Sequence, residues 1–122
     1  MTVLEAIGGV DELKPNAYTQ EEKVRWLSEV DARVKTLILD GREGVFAPFY
    51  GYDPEWDLGR ELLAPAPFDT MYLRWLEAKI DYHNEELDGY NAAMALFDAA
   101  FEAYRNRINQ RYPRRAAKIR YF

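Results

Sequence analysis

The chain has 122 residues, of which 48% are hydrophobic and 15% aromatic, which is enough apolar material for one domain with a buried core. It has no cysteine, which excludes disulfides and thiolate metal sites, and it has no run of about 18 apolar residues, so we expect no membrane span. The net charge of −5 disfavours non-specific binding of nucleic acid by most of the chain.

The first predicted helix lies near 3–14. In TVLEAIGGVDELKP, Thr2 and Glu5 have the spacing of a capping box, in which the two side chains satisfy backbone N–H groups at a helix start. The two glycines weaken this helix by about 1 kcal/mol each relative to alanine. We therefore expect a short helix that ends before Pro15, because proline cannot continue the helical hydrogen bonds.

A longer second helix is predicted near 20–40. In TQEEKVRWLSEVDARVKTLILDG, Thr19 and Glu22 repeat the capping-box spacing, and acids in the first turn suit the positive end of the helix dipole. Gly41 follows the last apolar residue, where a glycine in the left-handed conformation commonly ends a helix. The apolar residues recur at intervals of three and four, as they do on a helix with one buried face.

Residues 42–67 form an aromatic loop that interrupts the helical pattern. They contain four of the six prolines and three of the seven glycines, and 45–52 is expected either as irregular loop or as a short β-hairpin or edge strands. Large aromatic side chains on a loop usually anchor a core or an interface, and the acids that flank these ones disfavour nucleic acid. We predict that five of them bind a partner protein: Phe46, Phe49, Tyr50, Tyr52 and Trp56.

Two further helices are predicted near 69–86 and 89–111. The first of them is apolar around most of its circumference, so we expect it to be surrounded, either by its own bundle or by another subunit. The second has large apolar residues at alternating steps of four and three, and its many alanines permit close approach of a neighbour. The two are expected to form an antiparallel hairpin, with Gly89 marking the turn.

The last residues differ from the rest of the chain in charge. Seven of the 16 basic residues and none of the 21 acidic ones lie from Arg105 onward. Pro113 ends the last helix, and AKIRYF then alternates with the period of a strand. We predict a helical domain over 1–111 and an extended basic arm over 112–122, and we expect the arm to dock on a partner through Arg114, Arg115, Lys118, Ile119, Arg120, Tyr121 and Phe122.

Catalytic and metal-binding motifs are not found in the sequence. DPEWDLGRELL carries acids at calcium-loop spacing, but Leu58 replaces the required glycine and Ala64 the closing carboxylate. His83 is the only histidine, and with its neighbouring acids it is a weak metal signal because such sites need three or four ligands. We interpret His83 as a partly buried helix residue and expect no enzyme activity, no cofactor and no metal.

Three stretches resemble small proteins from the head-to-tail region of tailed bacteriophages and prophages. They are VLEAIGGVDELKPNAYTQEEKVRWLSEVD, ELLAPAPFDTMYLRWLEAKIDYHNEEL and YNAAMALFDAAFEAYRNR, which together cover most of the chain. The wider class that the chain resembles is the head–tail connector, or adaptor, family. The resemblance implies a small helical bundle that assembles as a ring beneath the portal and continues the DNA channel.

The resemblance also implies a set of partners. They are other copies of the chain in a ring, expected to be dodecameric, the portal protein, and the next connector or tail-terminator ring. DNA would be a non-specific passenger, and the protein would be located in the neck of the virion, without contact with a membrane. Two alternatives remain open: a soluble helical regulator whose basic tail binds nucleic acid, and a metal-dependent enzyme that uses His83.

Overall fold

The computed structural model describes residues 1–114 of the chain. These residues form a mainly helical bundle, as predicted. When the π-helical turn that continues the second α-helix is counted with it, the bounds of the helices agree with the predicted ones to within three residues. The chain continues from the second α-helix directly into a π-helical turn at Lys35–Leu39. The α-helices in the described part of the chain are α1 (Val3–Leu13), α2 (Gln20–Val34), α3 (Thr70–His83) and α4 (Leu87–Arg111).

The capping residues explain where α1 and α2 begin. The hydroxyl of Thr2 accepts a hydrogen bond from Glu5 N at 3.1 Å, and the Glu5 carboxylate accepts one from Thr2 N at 2.9 Å, which completes the predicted capping box. At α2 the hydroxyl of Thr19 accepts from Glu22 N at 3.1 Å. Gly41 follows the π-helical turn with φ of 77°, the left-handed conformation that its position predicted.

Helix α3 lies at the centre of the bundle and packs against α1, α2 and α4. Buried residues occur on several sides of it, among them Met71, Tyr72, Trp75 and Ile80, so the prediction of a surrounded helix is confirmed. Burial continues to Asp81 in the last turn, whereas His83 at the end of the helix is exposed.

Helices α3 and α4 form the predicted antiparallel hairpin. Three aromatic pairs show the antiparallel direction, because residue numbers fall on the α3 side as they rise along α4. The pairs are Tyr82 with Tyr90, Trp75 with Phe97, and Phe68 with Tyr104. The prediction that Gly89 forms the turn is wrong. The turn lies at residues 84–86, whereas Gly89 is within α4, where a side-chain Cβ would stand 2.6 Å from a carboxylate oxygen of Asp81.

The aromatic loop contains no hairpin in the described structure. Among residues 1–114 the β-bridges are isolated ones, joining Thr2 to Glu61 and Arg42 to Arg114. The loop backbone instead bonds to the helices around it, as when Tyr52 N donates to the hydroxyl of Ser28 at 2.9 Å.

Candidate docking surface

The structure divides the five aromatic residues predicted to bind a partner into two groups. Phe49 and Tyr52 are each 7% exposed and belong to the hydrophobic core of their own domain, so their assignment to an interface is corrected. The other three project into solvent, with exposed fractions of 90% for Phe46, 97% for Tyr50 and 83% for Trp56. Only these three are available to a partner of the folded chain.

A fully buried carboxylate on α2 holds residues 52–64 of the loop against the helices. Asp31 accepts hydrogen bonds from the hydroxyl of Tyr52, from the hydroxyl of Tyr72 at 2.6 Å, and from Leu63 N at 3.1 Å. The Tyr72 hydroxyl in turn accepts from Ala64 N at 2.7 Å. These bonds join α2, α3 and both ends of residues 52–64, so this part of the loop is fastened to the helices.

Burial sets the protonation of this cluster. It raises the pKa of Asp31, against the opposing effect of the hydrogen bonds from Tyr52 and Tyr72. Burial first, and then the charge of Asp31, raise the pKa of both tyrosine hydroxyls far above their usual range. The tyrosines therefore remain neutral hydrogen-bond donors to Asp31.

Sequence reasoning missed Asp31, although the sequence contains a signal for it. Asp31 follows Leu27 by four residues and precedes Val34 by three, so it lies on the buried face of α2. An acid at a core position of an amphipathic helix indicates buried hydrogen-bond donors nearby, because a buried charge without partners is costly.

Residues 53–57 form a hydrogen-bonded turn that we call the acidic tip. The Asp53 carboxylate accepts from Glu55 N at 2.8 Å and from Trp56 N at 2.9 Å, and the Asp57 carboxylate accepts from Asp53 N at 2.7 Å. These bonds fix the backbone, while the Trp56 side chain has little contact with its own domain. The tip thus presents one large aromatic ring between three acids.

A groove of about 710 Å³ opens at the other end of the loop, beside the C-terminal end of α4. Phe46 forms part of its wall, and two arginines of α4, Arg107 and Arg111, line it as well. We call it the arginine groove. Its other apolar walls include Leu39, Pro65, Phe68, Tyr104 and Ile108.

Arg42 fastens the end of α4 next to this groove. Its buried guanidinium donates to Ile38 O at 3.1 Å, to Tyr112 O at 3.4 Å and to the side chain of Asn109. Burial lowers the pKa of Arg42, and the nearby Arg114 and Arg105 lower it further.

The predicted docking arm begins on its own domain. Glu43 N donates to Pro113 O at 3.1 Å, and Arg114 forms a backbone bridge with Arg42, so the backbone at the start of the arm pairs with the loop of the same chain. The side chain of Arg114 is exposed, and its predicted role in binding a partner stays a prediction. The remaining predicted arm residues, Arg115, Lys118, Ile119, Arg120, Tyr121 and Phe122, lie outside the described residues.

The opposite end of the bundle is acidic. The Tyr18 hydroxyl donates to the Asn84 side chain at 2.6 Å, which brings the start of α2 next to the turn between α3 and α4. This neighbourhood carries Glu21, Glu22, Glu85, Glu86 and Asp88, and we call it the acidic end.

His83 lies at the acidic end, but the described residues around it do not form a set of metal ligands. It is exposed and not partly buried as expected, although its ring stacks on that of Trp26 with ring centroids 5.3 Å apart and planes 12° apart. The neighbouring Asp81 is buried and bonds to Lys14. Among residues 1–114 no three His, Asp or Glu side chains gather where they could hold a metal ion.

Comparison with known proteins gives no match: no family model, curated protein or solved structure is similar to this chain. Within residues 1–114, none of the helices combines the length and the apolar character needed to cross a membrane. The arguments about function therefore depend on the residues themselves, and above all on the three exposed aromatic side chains, the arginine groove and the separation of charge.

Proposed function

We propose that the chain is a structural subunit of a head–tail connector in a tailed bacteriophage or prophage, forming a ring between portal and tail through which DNA passes. The observation that carries the proposal is the exposure of Phe46, Tyr50 and Trp56 together with an apolar groove on one small domain. Large aromatic side chains are common anchors of protein interfaces, and an apolar groove is a surface into which such an anchor can insert. The sequence resemblance provides the connector class.

The separation of charge supports the same function. Helix α4 is about 37 Å long, with the acidic end at its start and Arg105, Arg107 and Arg111 in its last two turns. In a subunit with opposite charges at its two ends, the acidic end of one copy can attract the basic end of the next, so the copies associate in one orientation. The net charge of −5 also repels DNA, which must slide through a connector without binding to it.

The location in the particle provides the test. We expect the genes that flank this one to encode portal and capsid proteins, and we expect the protein in purified particles, with antibody label at the head–tail junction. Cosedimentation of the purified chain with the portal protein checks the contact directly. Absence of the protein from purified particles would refute the connector proposal.

A second candidate is a helical regulator that binds nucleic acid through its basic C-terminal end. The observation in its favour is the concentration of Arg105, Arg107, Arg111 and Arg114 with no acid after Glu102. Such binding would weaken steeply with salt, because each phosphate contact releases counterions. Titration of the chain with duplex DNA at several salt concentrations, before and after removal of residues 112–122, distinguishes this function from a connector, which should show no such binding.

A further inference from the structure

We propose that the subunits of the ring join head to tail by inserting Trp56 of one copy into the arginine groove of the next. The inference rests on the proposed function, which requires copies of the chain to contact each other, and it names the two surfaces that do so. The projecting surface is the acidic tip, and the receiving surface is the groove beside the end of α4.

Shape supports this pairing. The groove has a volume of about 710 Å³ and is bounded mainly by apolar and aromatic side chains, among them Phe46, Phe68 and Tyr104. Pockets of about 300–1,000 Å³ accommodate small molecules, so there is ample room for one indole ring. Trp56 is 83% exposed on a turn whose backbone is already fixed, so its insertion orders little of the chain.

Charge decides which segment enters the groove. Arg107 and Arg111 line it, and the acidic tip carries Asp53 and Glu55 within three residues of Trp56. Opposite charges around an apolar anchor steer the approach and fix its register. The basic segment after Arg114 has the same sign as the groove and would be repelled from it, which favours the acidic tip as the occupant.

The two surfaces lie on separate parts of the folded chain. The acidic tip is held beside α1 and α2, where Leu4 N donates to Leu58 O at 2.9 Å and Tyr52 N to the Ser28 hydroxyl. The groove is lined by 39–46, 63–68 and 104–112, and not by the tip. Because projection and groove are different surfaces, each copy can use both, and the contact repeats from copy to copy until a ring closes.

Self-association of the purified full-length chain tests the proposal. Sedimentation over a range of concentrations should show species larger than a dimer for the natural sequence. Trp56→Ala should weaken self-association about 30-fold, as expected for a central aromatic anchor. Leu13→Ala is the matched control: Leu13 is also exposed and apolar but lies at the end of α1, so its loss should leave assembly unchanged.

A charge exchange tests the pairing itself. Glu55→Lys and Arg111→Glu should each weaken self-association at least about tenfold, and the chain carrying both changes should recover most of the loss. Both side chains are exposed, so the single variants should melt like the natural chain. If either substitution weakened self-association only by destabilising the fold, the second substitution would not restore it.

Mixing two inactive variants tests the direction of the contact. Trp56→Ala retains its groove, and Arg107→Glu/Arg111→Glu retains its tip, so each alone should be monomeric whereas an equal mixture should form a dimer and nothing larger.

A natural chain that stays monomeric at every concentration, or a Trp56→Ala chain that assembles normally, overturns the proposal. Loss of assembly on deleting residues 115–122, with Trp56→Ala unaffected, would identify the tail as the occupant instead. None of these results depends on the portal, so they are separable from the test of the connector function.

Discussion

The aromatic loop contains two kinds of aromatic residue that its sequence does not distinguish. Phe49 and Tyr52 are buried, whereas Tyr50, between them, is almost fully exposed. The difference comes from outside the loop: Asp31 on α2 and Tyr72 on α3 hold Tyr52 and the backbone at Leu63. Whether a loop aromatic stabilises the domain or remains available to a partner is therefore decided by the helices beneath it.

Replacing one phenylalanine from each group should give the largest contrast. Phe49→Ala should lower the free energy of unfolding by about 3–5 kcal/mol, because it removes a buried ring and leaves a cavity. Phe46→Ala should change it by no more than about 0.5 kcal/mol, since that ring is in solvent. Urea denaturation followed by circular dichroism measures both, and equal losses would contradict the division of the loop.

Removing the carboxylate that fastens the loop should have nearly as large an effect. Asp31→Ala leaves the Tyr52 hydroxyl and Leu63 N buried without an acceptor, which should cost about 3 kcal/mol of stability. Glu29→Ala is the control on the same helix, because it breaks only an exposed ion pair with Lys79 and should cost at most about 1 kcal/mol. Similar melting temperatures for the two variants would show that the buried cluster does not hold the loop.

The pH dependence of stability sharpens the role of Asp31. Burial raises its folded pKa above the ordinary 3.8, so the folded chain binds this proton more tightly than the unfolded chain. The resulting stabilisation is complete below pH 3.8 and is lost as pH rises through the folded pKa. The advantage of the natural chain over Asp31→Asn should thus shrink as pH rises from 3.8 through the folded pKa of Asp31; an advantage that grows with pH would mean that the bonds from the tyrosines dominate.

The smallest effect is expected at His83, where an exposed ring lies on a buried one. His83→Ala removes the stacking on Trp26, which should cost no more than about 1 kcal/mol, and should leave self-association unchanged. Thermal melts and sedimentation check the two expectations. Loss of a bound metal on this substitution would show that the histidine has been misinterpreted.

The helices could be predicted because their signals are local. Thr2 and Thr19 cap the starts of α1 and α2, Gly41 follows the end of the second helical segment, and the four-and-three spacing on α4 matches its buried face, including Phe97 and Tyr104. Each of these signals lies within a few residues of the feature that it predicts, so the sequence alone was sufficient for the helical bundle.

The candidate docking surface could be predicted only in part, because the residues that determine it are far apart in the sequence. The sequence places five aromatic residues on the loop, but the choice of Tyr52 over Tyr50 for burial depends on Asp31, 21 positions earlier. The role of Gly89 likewise depends on Asp81, which belongs to the neighbouring helix. The arginine groove combines three separate segments, and no periodic pattern in any one of them indicates a cavity.

If the proposed docking occurs, the Asp31 cluster also determines when the chain becomes able to assemble. Tyr72 and Asp31 are 41 positions apart, so the bonds that fasten residues 52–64 form only after α2 and α3 have packed. Until then the acidic tip has no fixed base from which to project Trp56. Under the proposed docking, competence for assembly is thus acquired late in folding, and an incompletely folded chain is left out of a growing ring because it has no ordered tip to offer.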